Sequence, residues 1–246
     1  MSTGAFPRRV SESIRTGGLH SVRRVIDERS VLAVEREMAQ YYDAEEEREG
    51  RPLDPRRLAA RDRFIGAVRA AGRDEPIVEI GAGPGRDAVE MVDAGLAVIG
   101  VDLSFGHAAR AASRGLTMAR ASARELPFAT ASIGALWSMS TLMHIPEVAI
   151  DGAMQEIARV LVAGAPVAIG VWGGPDTEHF LDGTVAGSRG PRRLFSRRSE
   201  PRWRALLEVL GHIDDFDLWA NNRATDDDAA FNYHLAFITA HGGAGR

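Results

Sequence analysis

The sequence predicts an α/β fold: a doubly wound, seven-stranded, mainly parallel sheet with helices on both faces and a helical cap at the N-terminus. Three observations carry this. From Pro76 onward short apolar runs alternate with helical patterns, the rhythm that places a crossover helix after each parallel strand. The first of these runs leads directly into a glycine-rich turn, Gly81-Ala82-Gly83-Pro84-Gly85. Ahead of the alternation lies a separate stretch whose apolar residues recur every three or four positions, a helical spacing.

Element by element, Gly17-Gly18 separates an Arg-rich start from residues 20–47, where Val22, Val25, Ile26, Leu32, Met38 and Tyr41 define an amphipathic helix. The chain turns around Arg51-Pro52-Leu53, and Asp54-Pro55 is an N-cap and first-turn pair for a second helix closed near Gly72. These boundaries divide the chain into a cap, residues 1–53, and a core domain, residues 54–246. Strands are expected at 77–80, 97–101, 116–119, 133–137 and 166–172. Between the last two, Ala153, Met154, Ile157, Val160 and Leu161 form a helical stripe ended by Gly164. Arg189, Arg192, Arg193, Arg197 and Arg198 then surround Leu194-Phe195. This stretch reads as a solvated loop, with an arginine clamp for an anionic acceptor as the sharper alternative; His179, Phe180 and Trp172 would line the same pocket. A helix capped by Ser199 and carrying Trp203, Leu206, Leu207 and Leu210 follows. The runs at 213–219 and 232–240 complete the sheet. The sequence has no internal repeat and no low-complexity tract.

At 246 residues, with 45% hydrophobic and 26% charged residues, the chain suits one core with a cap. No run of about 18 apolar residues and no N-terminal apolar segment occurs, which argues against a membrane span or signal peptide and makes the cytoplasm the expected location. With no cysteine, disulfides, thiolate nucleophiles and Cys-ligated metals are excluded. The seven histidines are scattered, so no metal site is expected. A formal net charge of −4 and a pI near 6.0 argue against nucleic acid as the main partner. Oligomeric state is not encoded in any pattern of this kind.

The strand-turn-helix at Ile77 to Ala88 brings backbone N–H groups close to a ligand, and its three glycines allow close approach and positive φ. The next strand ends in Asp102, 19 residues after Gly83. An acid at about that spacing accepts hydrogen bonds from a ribose diol at the carboxyl edge of a doubly wound sheet. Capping the next helix is the competing role for Asp102, but Ser104 offers that cap. An adenosyl ligand follows from the pair. A dinucleotide fingerprint wants Gly or Ala where this chain has Arg86, which disfavours a nicotinamide cofactor. The absence of lysine, and so of a Tyr-x-x-x-Lys pair, disfavours an oxidoreductase further. Arg86 and Asp87 themselves read as a capping and surface pair.

Glu79-Ile-Gly81-Ala82-Gly83-Pro-Gly85 resembles the first motif of the class I, Rossmann-like methyltransferases, E/D-x-G-x-G-x-G. Ala121-Ser122-Ala123-Arg124-Glu125-Leu126-Pro127-Phe128 is similar to the G-D-A-x-x-L-P-F segment that flanks adenine in that family, with Ser122 in place of the acid. Ser132 to His144 resembles the fourth strand and the loop after it, and Ile157 to Ala165 resembles the family's R-V-L-K-P-G-G passage. The resemblance is to small-molecule members of the family, and it implies S-adenosyl-L-methionine as cofactor. Glu79 and residues 81–85 would lie along its methionine part, Asp102 would hold the ribose and Leu103 pack against adenine. Ser122 and Ala123 would sit at the adenine edge, and Ser138 near the sulfonium. Tyr41-Tyr42-Asp43 resembles the segment that covers the cofactor, Tyr42 being the covering residue; packing of the cap helix is the other role these tyrosines can fill.

Methyl transfer from a sulfonium is an in-line displacement, for which the protein supplies alignment and a dry pocket and no catalytic side chain is obligatory. If the acceptor is a hydroxyl or amine, His144 is the histidine placed to act as a base; structural packing on the sheet is the alternative. A cofactor-binding protein of the same fold that transfers no methyl group, with a regulatory or cyclising role, is the alternative function.

Overall fold

The computed structural model describes residues 26–44, 52–185, 188–220 and 231–243. The N-terminal 20–25 and C-terminal 45–47 ends of the expected first helix lie outside the described residues, as does all of the chain before residue 20. Helix α1 spans Glu28–Asp43 and starts where Asp27 Oδ1 accepts the Ser30 N–H at 2.9 Å. Its buried stripe is Val31, Val34, Met38 and Ala39. Leu32, expected in that stripe, is 57% exposed. The face that finds a partner is the one a residue earlier, because Leu194 and Ala149 pack there.

Helix α2, Pro55–Ala71, has the expected boundaries: Asp54 accepts the Arg56 N–H at 2.8 Å, Pro55 sits in the first turn, and Gly72 closes the helix at φ +56°. Strand β1, Ile77–Ile80, is buried along its whole length. It is followed by α3, Arg86–Asp93, β2, Val98–Asp102, α4, Phe105–Ser113, β3, Thr117–Arg120, and β4, Ala135–Met139. A 3-10 turn, Leu142–His144, leads to α5, Glu147–Val160, and β5, Pro166–Gly173. Two further strands, β6, Thr177–Val185, and β7, Ser188–Arg197, precede α6, Glu200–Glu208, β8, Gly211–Ala220, and β9, Asn232–Ala240.

The main sheet has seven strands in the order β3-β2-β1-β4-β5-β9-β8. Its first five strands are parallel, and β9 runs antiparallel between β5 and β8. Alternation along the strands supplies two cores. Val78, Ile80, Leu136, Val167 and Ile169 pack with Ile150, Met154 and Ile157 of α5 and Trp203 of α6. Ile77, Ala135, Trp137 and Ala168 pack on the opposite face with Phe64 of α2 and Met91 of α3. Strands buried on both faces are what a doubly wound sheet requires.

The basic stretch expected to be a solvated loop is instead a two-stranded antiparallel hairpin, β6 with β7. Leu194 and Ser196 of β7, and Arg198 just beyond it, are buried, and α1 lies on the hairpin. The Arg198 guanidinium donates to Glu147 and to the Ile145 carbonyl, and Arg192 pairs with Glu37 of α1. These two arginines hold structure together, which removes them from an anion clamp. Phe180 packs in the small core under α1, and Trp172 packs edge-on against Tyr233.

Candidate functional site

A cleft opens at the carboxyl ends of β1, β2 and β4, where the strand order reverses between β1 and β4, the place where doubly wound sheets bind ligands. The loop after β1 is its floor. Gly81 adopts φ +72°, and a Cβ there would stand 1.9 Å from Thr141 Oγ1. Gly85, at φ +82°, is the N-cap of α3 and faces Leu116, so a side chain is excluded there too. The N–H groups of Gly81 and Ala82 donate to the Val101 carbonyl at 2.7 and 3.1 Å, tying the loop to the end of β2.

Asp102 ends β2. Its Oδ2 accepts the Gly83 N–H at 2.7 Å and its Oδ1 the Ser104 N–H at 2.8 Å. Burial pushes its pKa up, the Ser104 and Gly83 N–H groups oppose that rise, and the nearby Asp43 charge adds to it. Ser104, not Asp102, caps α4, its Oγ accepting the His107 N–H at 3.0 Å. His107 then brings Nδ1 to 4.0 Å from Asp102 Oδ2. Beneath the loop Glu79 is 2% exposed, accepts the Ala88 N–H, and has Oε2 without a hydrogen-bond partner. Burial, with Asp87 close by, holds its pKa well above the usual carboxylate range, and Arg57 works in the opposite direction.

Asp87 corrects the reading of a surface pair. Its carboxylate is 0% exposed and accepts from Arg57 Nε and Nη2 at 2.8 and 2.5 Å, Arg61 Nη1 at 3.2 Å and Trp137 Nε1 at 3.1 Å. Burial opposes the charge on Arg57, but Asp87, with Tyr233 and Glu79 behind it, more than offsets this and the arginine pKa is raised. The network holds Arg57 against the cavity wall.

Helix α1 closes the cavity from above, contributing Glu35, Met38 and Tyr42. It is fastened by Asp43, whose Oδ1 accepts the Ser104 hydroxyl at 2.7 Å and the Gly106 N–H at 2.8 Å. Burial raises the Asp43 pKa, and these two hydrogen bonds, together with the Arg120 and His107 charges, more than reverse the rise. Tyr42 lies 5.5 Å from the His107 ring, centroid to centroid. Its hydroxyl is 2.8 Å from His144 Nε2. His144 Nδ1 is 2.6 Å from the Leu194 carbonyl, which can only accept, so Nδ1 carries the proton. In the neutral ring Nε2 is then the lone-pair nitrogen, accepting from Tyr42. Tyr41 turns away from the cavity, edge-on to Tyr42 and under the Arg193 guanidinium.

Of the residues singled out in the sequence, Tyr42, Gly81, Ala82, Gly83, Asp102, Leu103, Ser122, Ala123 and His144 line this one cavity. Glu79 and Gly85 support it from below. Ser138 is fully buried, donating its hydroxyl to the Ile80 carbonyl at 3.1 Å, and Ser140, two residues on, reaches the cavity instead. Ser140 holds φ +59°, with its Oγ 3.3 Å from the Tyr233 hydroxyl. Sequence reasoning missed Glu35, Arg57, His107, Ser140 and Thr141. His107 was within reach of it, one turn into the helix that Ser104 caps; the others carry no local signal.

Among the described residues no group of three His, Cys, Asp or Glu side chains could hold a metal ion, and no helix is long and apolar enough to cross a membrane. A family model described as a methyltransferase domain matches residues 77–164. An uncharacterized methyltransferase from Mycobacterium avium (strain 104) is 36% identical over 178 residues, 67% of this chain and 68% of that protein. Another, from Mycobacterium sp. (strain KMS), is 28% identical over 159 residues, 61% of this chain and 63% of that protein. Among solved structures, geranyl diphosphate C-methyltransferase from Streptomyces coelicolor A3(2), crystallised with Mg2+, geranyl diphosphate and S-adenosyl-L-homocysteine, superposes with a TM-score of 0.61. It is 16% identical, and the match covers 84% of this chain and 97% of that one.

Proposed function

The chain belongs to the methyltransferase family, and on that premise we propose that it transfers the methyl group of S-adenosyl-L-methionine to a small-molecule acceptor held beneath α1. The observation that carries this reading is the loop of residues 81–83 tied to Asp102 on the floor of a cavity roofed by a helix. The residues present fit the cofactor. Gly83 adopts φ +56°, and a Cβ there would meet His107 Nδ1 at an ordinary contact distance of 3.7 Å, so it is the backbone conformation that calls for glycine in the loop under the cavity. Asp102 offers acceptors for the ribose hydroxyls, and Arg57 a cation for the amino-acid carboxylate.

When bound, the cofactor supplies an activated methyl group on a sulfonium. The protein's share is alignment and exclusion of water. Tyr42 and Met38 cover the cavity from α1. Nε2 of His144, its tautomer fixed by the Leu194 carbonyl, would accept the proton of an acceptor hydroxyl or amine, directly or through the Tyr42 hydroxyl. A roof of this kind favours a small acceptor over a polymer that needs an open groove, and the net charge of −4 agrees.

Thermal unfolding with S-adenosylhomocysteine tests the reading. A ligand that binds only the folded state stabilises it by about 2.7 kcal/mol at a hundredfold excess over its dissociation constant. The melting temperature is expected to rise. An unchanged melting temperature at millimolar ligand would overturn the assignment.

A further inference from the structure

Two carboxylates line the cavity, and they are held differently. Both oxygens of Asp102 are engaged by backbone N–H groups, Oδ2 by Gly83 of the glycine loop and Oδ1 by Ser104. Glu35 reaches in from α1. Its Oε1 accepts the Ser122 hydroxyl at 2.7 Å and Arg124 Nε at 2.9 Å, and both bonds fall on that one oxygen. The side chain is 14% exposed and lines the cavity, so a largely buried carboxylate borders it. Ser122 is committed on both sides: its proton goes to Glu35, and its Oγ accepts the Arg124 N–H at 3.1 Å. Leu103, Ala121 and Ala123 make the neighbouring walls apolar. Such walls with one anionic acceptor suit a planar ring that carries an N–H donor on its edge.

We propose that Glu35, on α1, is the residue that recognises the exocyclic amino group of the adenine ring. This rests on the cofactor reading above. Arg124 Nε, 2.9 Å from Oε1, fixes the orientation of the carboxylate, and an N–H donor on a carboxylate forms a charge-assisted hydrogen bond. A base with a carbonyl in place of the amino group sets two acceptors against each other. Sites built to pair one polar group discriminate strongly against an analogue that leaves it unpaired. Because Glu35 belongs to the cap, recognising the base also ties α1 to the core.

Isothermal titration of the full chain with S-adenosylhomocysteine and with S-inosylhomocysteine, its 6-oxo counterpart, tests the proposal. The wild type should prefer the amino compound by about tenfold or more. E35Q is isosteric, but Ser122 and Arg124 hold its carbonyl oxygen and leave the amide N–H2 toward the ligand, so the preference for the amino compound should fall to within about threefold or reverse. E35D keeps the charge but withdraws it by one methylene, and its preference should lie between the two; if E35Q fails to fold, E35D carries the test. Wild type that binds S-adenosylhomocysteine while both variants keep the full preference would overturn this proposal alone. Wild type that binds neither compound would overturn the cofactor reading along with it.

Discussion

Replacing Asp87 with asparagine tests whether the ionic network under the glycine loop is a buried structural device. The side chain is 0% exposed and answers four donor contacts, two of them from Arg57. Arg57 and Arg61 are 24% and 10% exposed, so water cannot fully replace the lost charge. Asparagine keeps the shape, removes the anion and turns an amide donor toward arginine or tryptophan donors. Breaking one side of a buried ion pair costs about 3–5 kcal/mol. In a chain of this size each kcal/mol shifts the melting temperature by about 2–4 °C, so a fall of roughly 6–20 °C is expected. Asp54→Asn is the control, since its pair with Arg56 is 43% and 44% exposed and asparagine caps a helix equally well; it should cost under about 1 kcal/mol. Differential scanning calorimetry of both variants decides. A fall of less than about 3 °C for Asp87→Asn, or equal falls for the two variants, would contradict a buried ion-paired role for Asp87.

Glu79→Gln should gain stability over the wild type as pH rises. The folded pKa of Glu79 is raised, so its favourable contribution is complete below the unfolded value near 4.5 and is lost as pH climbs toward the folded pKa. The variant lacks that loss, so the difference in melting temperature should be larger at pH 8 than at pH 4, and a constant difference would contradict the burial argument. With an acceptor found by screening hydroxyl and amine compounds against labelled cofactor, His144→Gln should lower turnover by about 10²- to 10⁴-fold and leave S-adenosylhomocysteine affinity nearly unchanged. Unchanged turnover would make His144 a structural link between the 3-10 turn and β7.

Local signals made much of the molecule legible. Asp54-Pro55 and Gly72 bound α2 because caps act within one turn. The run into Gly81-Ala82-Gly83 and on to Asp102 was readable because adjacent parallel strands bring their carboxyl ends to one edge, whatever the rest of the chain does. The hairpin was not readable. Its inward positions, Leu194, Ser196 and then Arg198, alternate correctly but are mostly polar, so burial leaves no hydrophobic period to detect. Asp87 was misread for a related reason: a carboxylate next to an arginine at a helix start looks solvated until α2 and Trp137 close over it. Glu35 and Arg57 enter the cavity from helices distant in sequence, and only packing decides which helical face looks inward.

We propose that the loop of residues 81–83 and Asp102 together hold the cofactor. Isothermal titration with S-adenosylhomocysteine, run on the wild type and on Asp102→Ala, decides it. Removing the acceptor for the ribose hydroxyls should cost about 1–3 kcal/mol, a loss of about 5- to 150-fold in affinity, with one site per chain in the wild type. Absence of wild-type binding at millimolar ligand, or equal affinity in the two proteins, would contradict it.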